Sequence, residues 1–249
     1  MKKIEIKILN PDAIKESEKM MVCGARLTQR GHQIKNMDGF IALYEKGYTE
    51  ETACNLAGLP HNTIKQFQMI NVAVVGASRR FLAQITRRRV GVTFMSASLQ
   101  YSDYSGEADF VVPYAITEKG QGAIDDYLMV CQQAMTDYQG AINLGIDNDA
   151  AGYMTPQGLR NILIISATPQ AWIEMISQRV CKRNTAETRY VMLRIWERLS
   201  EISPVLFGES GTPCLNGGCK EGKMTCGQAI EFKTANEIIK ADYPLIYER

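Results

Sequence analysis

Residues 78–105 read SRRFLAQITRRRVGVTFMSASLQYSDYS, and the reading of this stretch governs the rest of the chain. Five arginines, Arg79, Arg80, Arg87, Arg88 and Arg89, fall within eleven positions with no acid among them. Ser78 is placed to cap a helix in which Phe81, Leu82 and Ile85 share one face by i+3 and i+4 spacing. Gln84, Arg87 and Arg88 stand at i, i+3 and i+4, so the same helix is expected to carry them on its opposite side. Guanidiniums grip phosphate through a bidentate fork, and a glutamine amide reads a base edge or a ring imide. Ser96, Ser98, Gln100 and Tyr101 add hydroxyl and amide donors on an expected loop. The other reading of the run is a solvated helix C-terminus, where arginines suit the dipole. Charge density by itself leaves both readings open.

Outward from this stretch, strand-like and helix-like patterns alternate. Upstream, the Val72–Val75 run reads as a strand ending at Gly76, and residues 3–9 alternate as a strand does. Residues 38–47 and 49–58 read as two short helices broken at Gly47, the second capped by Thr49 with Glu50 and Glu51 in its first turn. Downstream, Gly91 breaks the arginine-bearing helix, and Phe110–Pro113 reads as a strand ended by proline. A long helix fits Gly120 to about Leu144. The Ile162–Ile165 run is a buried strand or helix, which periodicity does not resolve. Residues 170–200 read as a helical pair, with Trp172 and Trp196 at core spacing. The expected class is α/β (α+β mixed), one domain over 1–249 with a cysteine-containing tail from about residue 208.

The 249 residues, 27.8 kDa, are enough to bury a sizeable core, and 45% hydrophobic with 22% charged residues is ordinary for a globular chain. A net charge of +1 gives no global drive toward nucleic acid or an anionic membrane, so anions must be met by local clusters. No segment approaches the ~18 apolar residues of a membrane span. The N-terminus lacks the apolar core of a leader, and seven cysteines, an odd number, do not suggest a disulfide framework. The expected location is cytoplasmic.

Two further patterns compete for attention. Residues 48–65 carry a helix-turn-helix look, with Ala53, Gly58 and Ile64 at the small, turn and core positions. Asn62 and Lys65 are its only base readers, and the charge balance argues against nucleic acid. Cys214, Cys219 and Cys226, with Cys181 as a fourth, are spaced more widely than C-x₂₋₄-C zinc pairs, so inert thiols on a glycine-rich loop are the favoured reading over a metal site. The two histidines, His32 and His61, are too few for a histidine-based metal site, and His61 is expected to cap or pack near the Thr63 loop.

The ordered motifs resemble the flavin-dependent thymidylate synthase family. Gln84-Ile-Thr-Arg87-Arg88-Arg89 followed by Ser98-Leu-Gln100-Tyr101 is similar to its Gln, Arg-His-Arg and Ser-x-Arg-Tyr signature. His61-Asn-Thr63 resembles the family's His-x-Ser/Thr element. Gln178-Arg179 through Arg183 and Glu187-Thr-Arg189 resemble its arginine-bearing helix and Glu-Ile-Arg run. The tail from Pro213 to Gly227, with its three cysteines, resembles one carried by a subset of members.

The resemblance implies a homotetramer in which several subunits build each active site. It implies FAD as cofactor, with NADPH and methylenetetrahydrofolate as cosubstrates, and transfer of a one-carbon unit to C5 of dUMP. By the same resemblance Thr63, Arg87, Arg88, Arg89, Thr168 and Gln170 contact the flavin, and Gln84, Arg87, Ser98, Gln100 and Arg179 contact the nucleotide. Arg179 takes the catalytic place against the pyrimidine ring, and no metal is called for. The chain also departs from the pattern. Arg88 replaces the central histidine, and the loop is one residue longer, so that Ser98 takes its place only through an insertion at Ala97. Gln100 and Gly152 stand where the family has phosphate-binding arginines, Thr168-Pro-Gln170 replaces an Asn-x-Arg element, and Glu174 replaces an asparagine. A different pyrimidine nucleotide on the same scaffold, or a non-catalytic nucleotide- or nucleic-acid-binding relative, are the alternatives these departures raise.

Overall fold

The computed structural model describes residues 4–215 and 217–247. In chain order its regular elements are β1 (Glu5–Ile8), α1 (Asp12–Arg30), α2 (Met37–Glu45), α3 (Glu50–Ala57), β2 (Ile70–Ser78), α4 (Arg79–Ile85), β3 (Val92–Ser96) and α5 (Tyr114–Thr117). They continue as α6 (Gln121–Asn143), α7 (Asn148–Ala151), β4 (Arg160–Ala167), α8 (Pro169–Arg179), α9 (Ala186–Ile202), α10 (Pro204–Phe207), α11 (Ala235–Asp242) and α12 (Pro244–Tyr247). The strands form one antiparallel sheet in the order β1-β2-β4-β3.

Alternation along the two central strands makes the sheet two-faced. Ile70, Val72 and Val74 of β2 and Leu163, Ile165 and Ala167 of β4 are buried, and with α1, α8 and α9 they build the main core. Trp172 lies wholly inside it, and its indole N–H donates to the Ile70 carbonyl (3.1 Å), joining α8 to the start of β2. Trp196 is buried in the same core and donates to the Phe207 carbonyl (2.7 Å). A smaller cluster gathers Phe110, Leu159 and Ala151 against Cys131, Met135 and Tyr138 of α6.

The opposite face of the sheet carries an uncovered apolar patch, bordered by Glu5 and Lys7 of β1 and by the row Asn71, Ser166 and Thr93. Val75, Ile162, Ile164 and Met95 stand in adjacent register on β2, β4 and β3, and are 41%, 54%, 40% and 70% exposed. A patch of this kind is the usual mark of an interface.

Most expected elements are present, with instructive differences. The strand expected over residues 3–9 runs Glu5–Ile8, residue 3 lying outside the described residues. Thr49 caps α3 by accepting from the Thr52 N–H (3.2 Å), and the long helix is α6. The ambiguous Ile162–Ile165 run is strand, because it pairs on both sides. β2 does not end at Gly76. It bulges there, Gly76 taking φ +85°, and continues to Ser78. The strand expected at Phe110–Pro113 reduces to one bridge, Phe110 to Leu159.

α1 carries no plain sequence signal, because Ser17 takes an inward position between Ile14 and Met21 and interrupts the apolar stripe. β3 carries no plain sequence signal, since its outward Met95 hides the alternation, and Ser96, expected on a loop, is its last residue. The helix-turn-helix reading is overturned. The second element is a 3-10 turn of four residues, Asn62–Lys65, and Lys65 is buried with its ammonium donating to the Ala57 carbonyl (2.9 Å).

Replacing Trp172 with alanine removes the largest fully buried side chain and one hydrogen bond. Chemical denaturation should show a loss of about 3–5 kcal/mol in stability.

Candidate functional site

The site begins with a buried serine. The bulge at Gly76 turns Ser78 inward, where its hydroxyl oxygen accepts from the Phe81 N–H (3.0 Å) and caps α4 as the sequence suggests. The Ser78 backbone N–H (2.7 Å) and its hydroxyl both donate to the Glu187 carboxylate at the start of α9. Burial pushes the Glu187 carboxyl up, and the two hydrogen bonds from Ser78 and the nearby Arg160 charge only partly oppose it. The start of α4 is therefore pinned to α9 from inside the molecule.

α4 is shorter than its arginine pattern implies. It ends at Ile85, and Thr86 closes it with a hydroxyl bond to the Leu82 carbonyl (2.9 Å). Gln84, Arg87 and Arg88 consequently do not share a helical face. Arg87, Arg88 and Arg89 lie on the connection into β3, which turns at Gly91 (φ +70°) and passes against the start of α8. The Thr168 N–H donates to the Gly91 carbonyl (3.1 Å), and a Cβ at Gly91 would meet Thr168 and Ala171 at 3.3 Å. Only glycine suits both the φ and the approach.

This turn separates the three arginines. Arg88 points back to α8 and pairs with Glu174, whose second oxygen accepts from the Gln170 amide (2.7 Å). Burial raises the Glu174 carboxyl, but the hydrogen bonds from Gln170 and Arg88, with the Arg88 charge, outweigh it, and the group is held below its ordinary value. The two departures noted at 88 and 174 are thus in contact, a cation and an anion facing one another across 86 positions of chain.

Arg87 and Arg89, both exposed, are paired with no carboxylate among the described residues. Arg89 lines a hollow of about 590 Å³ with Leu82, Thr86, Val92 and Phe94. Arg179, at the end of α8, donates to the Gln84 carbonyl (3.0 Å) and weakly to the Asn184 side chain (3.4 Å). Its pKa is lowered by burial and then by the neighbouring Arg87. Two guanidiniums whose charges act on one another, with no carboxylate paired to either among the described residues, favour an anion nearby.

The structure therefore brings the Arg179 guanidinium to the Gln84 carbonyl at the end of α8, with the Arg87 charge near enough to act on it, whereas Arg88, Gln170 and the capping Thr168 gather toward the start of the same helix. Thr63 is exposed on the 3-10 turn that touches α1 and α8. His61, expected to cap or pack there, is exposed and caps nothing through its side chain. Ser98 and Gln100 are elsewhere. They follow the far end of β3, whose five residues put about 13 Å of strand between them and the arginine turn. There the Ser98 oxygen accepts from the Gln100 N–H (3.1 Å), and Leu99 lies so close to buried Gly152 that a Cβ at 152 would meet it at 3.2 Å. The residues expected to contact substrate therefore fall at two separate places on the chain. The Ser78 contact of Glu187 spans 109 positions and has no local signal, whereas Asn184, bonded to Arg179, Gln178 and Cys181 within six positions, carries no motif that marks it. Gln170 and Glu174 at i and i+4 were the available signal for the polar edge of α8.

A family model described as "Thymidylate synthase complementing protein" matches residues 11–205. A flavin-dependent thymidylate synthase of Geobacter sulfurreducens is 25% identical over 181 residues, covering 72% of this chain and 76% of that protein. Another from Pyrococcus furiosus is 23% identical over 174 residues, with 67% and 70% covered. Among solved structures, a UMP/dUMP methylase, PolB of Streptomyces cacaoi bound with 5-Br dUMP, superposes with a TM-score of 0.65 at 15% identity, over 82% of this chain and 93% of that one.

The Arg88–Glu174 contact has a pH signature. A depressed carboxyl contributes stability above its ordinary pKa of 4.5, and that contribution disappears as pH falls through the lower folded value. Stability measured from pH 7 to pH 3 should therefore drop more steeply for the natural chain than for Glu174→Gln.

Proposed function

The chain belongs to the flavin-dependent thymidylate synthase family, and from that premise we propose that it methylates C5 of a pyrimidine nucleotide, dUMP, with FAD as its cofactor. The observation that carries the reading is the Arg87–Arg179 pair, whose charges act on one another with no carboxylate paired to either among the described residues, set beside Gln84. A nucleotide substrate supplies the anion this pair lacks.

The residues present fit a flavin nucleotide. Arg87 and Arg89 offer free guanidiniums to its phosphates, beside an apolar wall of Leu82, Val92 and Phe94. Thr63, Thr168 and Gln170 add hydroxyl and amide groups along α8. Arg88, held by Glu174, orients this edge. When bound, the flavin supplies the reducing equivalents that turn a transferred one-carbon unit into a methyl group. NADPH and methylenetetrahydrofolate are the reductant and carbon donor of this reading.

Arg179 acts on the substrate. Fixed by the Gln84 carbonyl, its guanidinium faces the pyrimidine N3/O2 edge and stabilises the negative charge that makes C5 nucleophilic. The Gln84 side chain reads the imide. No cysteine nucleophile is required. Ser98 and Gln100, too far along β3 to reach the same ligand, serve the site of a neighbouring subunit. Assembly of a homotetramer through the uncovered sheet face would bring the two half-sites together and bury Val75, Ile162, Ile164 and Met95.

A second reading is favoured by one observation. Gly152 and the loop bearing Gln100 touch through Leu99, so the two missing arginines fall at one place. Each lost charged hydrogen bond is worth roughly 1.5–3 kcal/mol. A pyrimidine nucleotide other than dUMP, such as UMP, is the substrate of that reading. A non-catalytic relative would bind no flavin.

The visible spectrum of the purified chain, titrated with FAD and then with dUMP or UMP, tests the proposal. A flavin band that shifts with dUMP, accompanied by dTMP formation, is expected, and a band responsive only to UMP moves the substrate to the second reading. Absence of flavin binding overturns both. Arg179→Ala should keep the flavin band while lowering kcat by about 10²–10³-fold. Ile164→Asp, introducing a charge into the uncovered face, should reduce the assembled mass measured by light scattering.

A further inference from the structure

Outside the arginine turn, a cavity of about 350 Å³ opens between the end of α8 and the tail that follows α10. Three cysteines line it, Cys181, Cys214 and Cys219, together with the cationic Arg183 and Lys220. Cys219 is exposed, and Cys181 and Cys214 are half-buried. No disulfide joins any of them. Among the described residues no group of three or more histidine, cysteine, aspartate or glutamate side chains is placed to hold a metal ion, so the thiols do not form a ligand cage.

The backbone around them is folded back on itself. The Gly218 N–H donates to the Pro213 carbonyl (3.2 Å), which returns the chain beside the position where Cys214 leaves it. Gly217 and Gly218 take φ values of +140° and +130°, conformations that leave this return open to glycine and hardly to other residues. Cys219 emerges from the return directly into the cavity that Cys214 lines. Hydrogen bonds from the Thr225 hydroxyl and the Glu221 backbone, with Arg183 nearby, hold the Cys219 thiol below its usual range. Arg183 is itself held over the cavity by Glu221 (3.1 Å).

We propose that Cys214 and Cys219 form an oxidant-sensitive dithiol, a covalent modification site that a peroxide closes to a disulfide. The Cys219 thiolate attacks one peroxide oxygen, the O–O bond breaks, and water leaves after the second oxygen takes a proton. The sulfenic acid so formed is displaced by the Cys214 sulfur, which releases its proton as the S–S bond forms and a second water departs. Two thiols give up two electrons and two protons, and one peroxide becomes two waters. A dithiol reductant reverses the step by exchange. Asn184 lines the same cavity and accepts from Arg179, so the thiol pocket and the anion site share a residue.

The test needs no bound flavin or nucleotide, so its outcome is independent of the proposed function. The full chain is treated with hydrogen peroxide, alkylated and mapped by peptide mass spectrometry without reduction. Cys214 and Cys219 should become unreactive to the alkylating agent together, with the loss of two hydrogens from their peptide, and dithiothreitol should restore both. Cys214→Ser should leave Cys219 to proceed to the sulfinic acid, whereas Cys226→Ser should not alter the pair. Circular dichroism checks that each variant folds. Cys214 remaining alkylatable while Cys219 is oxidised in the natural chain, or Cys219 linked to Cys181 instead, overturns the proposal.

Discussion

The Glu187 carboxylate, half-buried at the start of α9, takes both donors of Ser78 and ties the start of α4, the helix that leads into the cationic turn, to the core. A carboxylate removed from water is expensive unless its lone pairs are met, and here two donors from one residue meet them. Its raised pKa means the folded state holds the proton more tightly than the unfolded one, so this group's contribution falls as pH rises through the window above 4.5. What the contact achieves is geometric. It holds the start of α4, and Thr86 ends the helix by turning its hydroxyl to the Leu82 carbonyl, leaving the three arginines on a turn instead of a helix.

The turn then sorts those arginines by partner. Arg88 finds Glu174 and becomes part of the α8 surface, while the exposed Arg87 keeps a charge that acts on Arg179. The backbone holds this cationic region in place, Arg179 through the Gln84 carbonyl and the turn through Gly91. Preorganised charge of this kind does not have to be assembled when an anion arrives, which is why such arrangements stabilise developing negative charge well. The same rigidity keeps Ser98 and Gln100 away, since a β-strand is a spacer that does not bend to close a gap of this length.

Much of this was legible in the sequence. The caps Ser78 and Thr49, the helices α6, α8 and α9, and the core positions of Trp172 and Trp196 follow from local rules that hold wherever the residues sit. α1 and β3 were not legible, because inward Ser17 and outward Met95 run against the simple apolar pattern. Within the site, the density of arginines and the order of motifs were readable, but the extent of the helix carrying them was not. The helix stops where Thr86 turns back on the Leu82 carbonyl and the chain is drawn against the start of α8 by the Thr168–Gly91 bond, a contact between distant residues that no local propensity encodes.

By itself, then, the sequence determined the mixed α and β class, the family kinship and the residue types at the site, all of which are properties of local order and spacing. Tertiary structure alone decided that Arg88 pairs with Glu174, that the Arg87 charge acts on Arg179, that Ser98 and Gln100 lie apart from the arginine turn, and that Cys214 and Cys219 share a cavity. The physical reason is common to all four. Each is a through-space relation set by which strands lie next to one another or where the chain folds back, and electrostatic and covalent chemistry respond to distance in space and not to position along the chain.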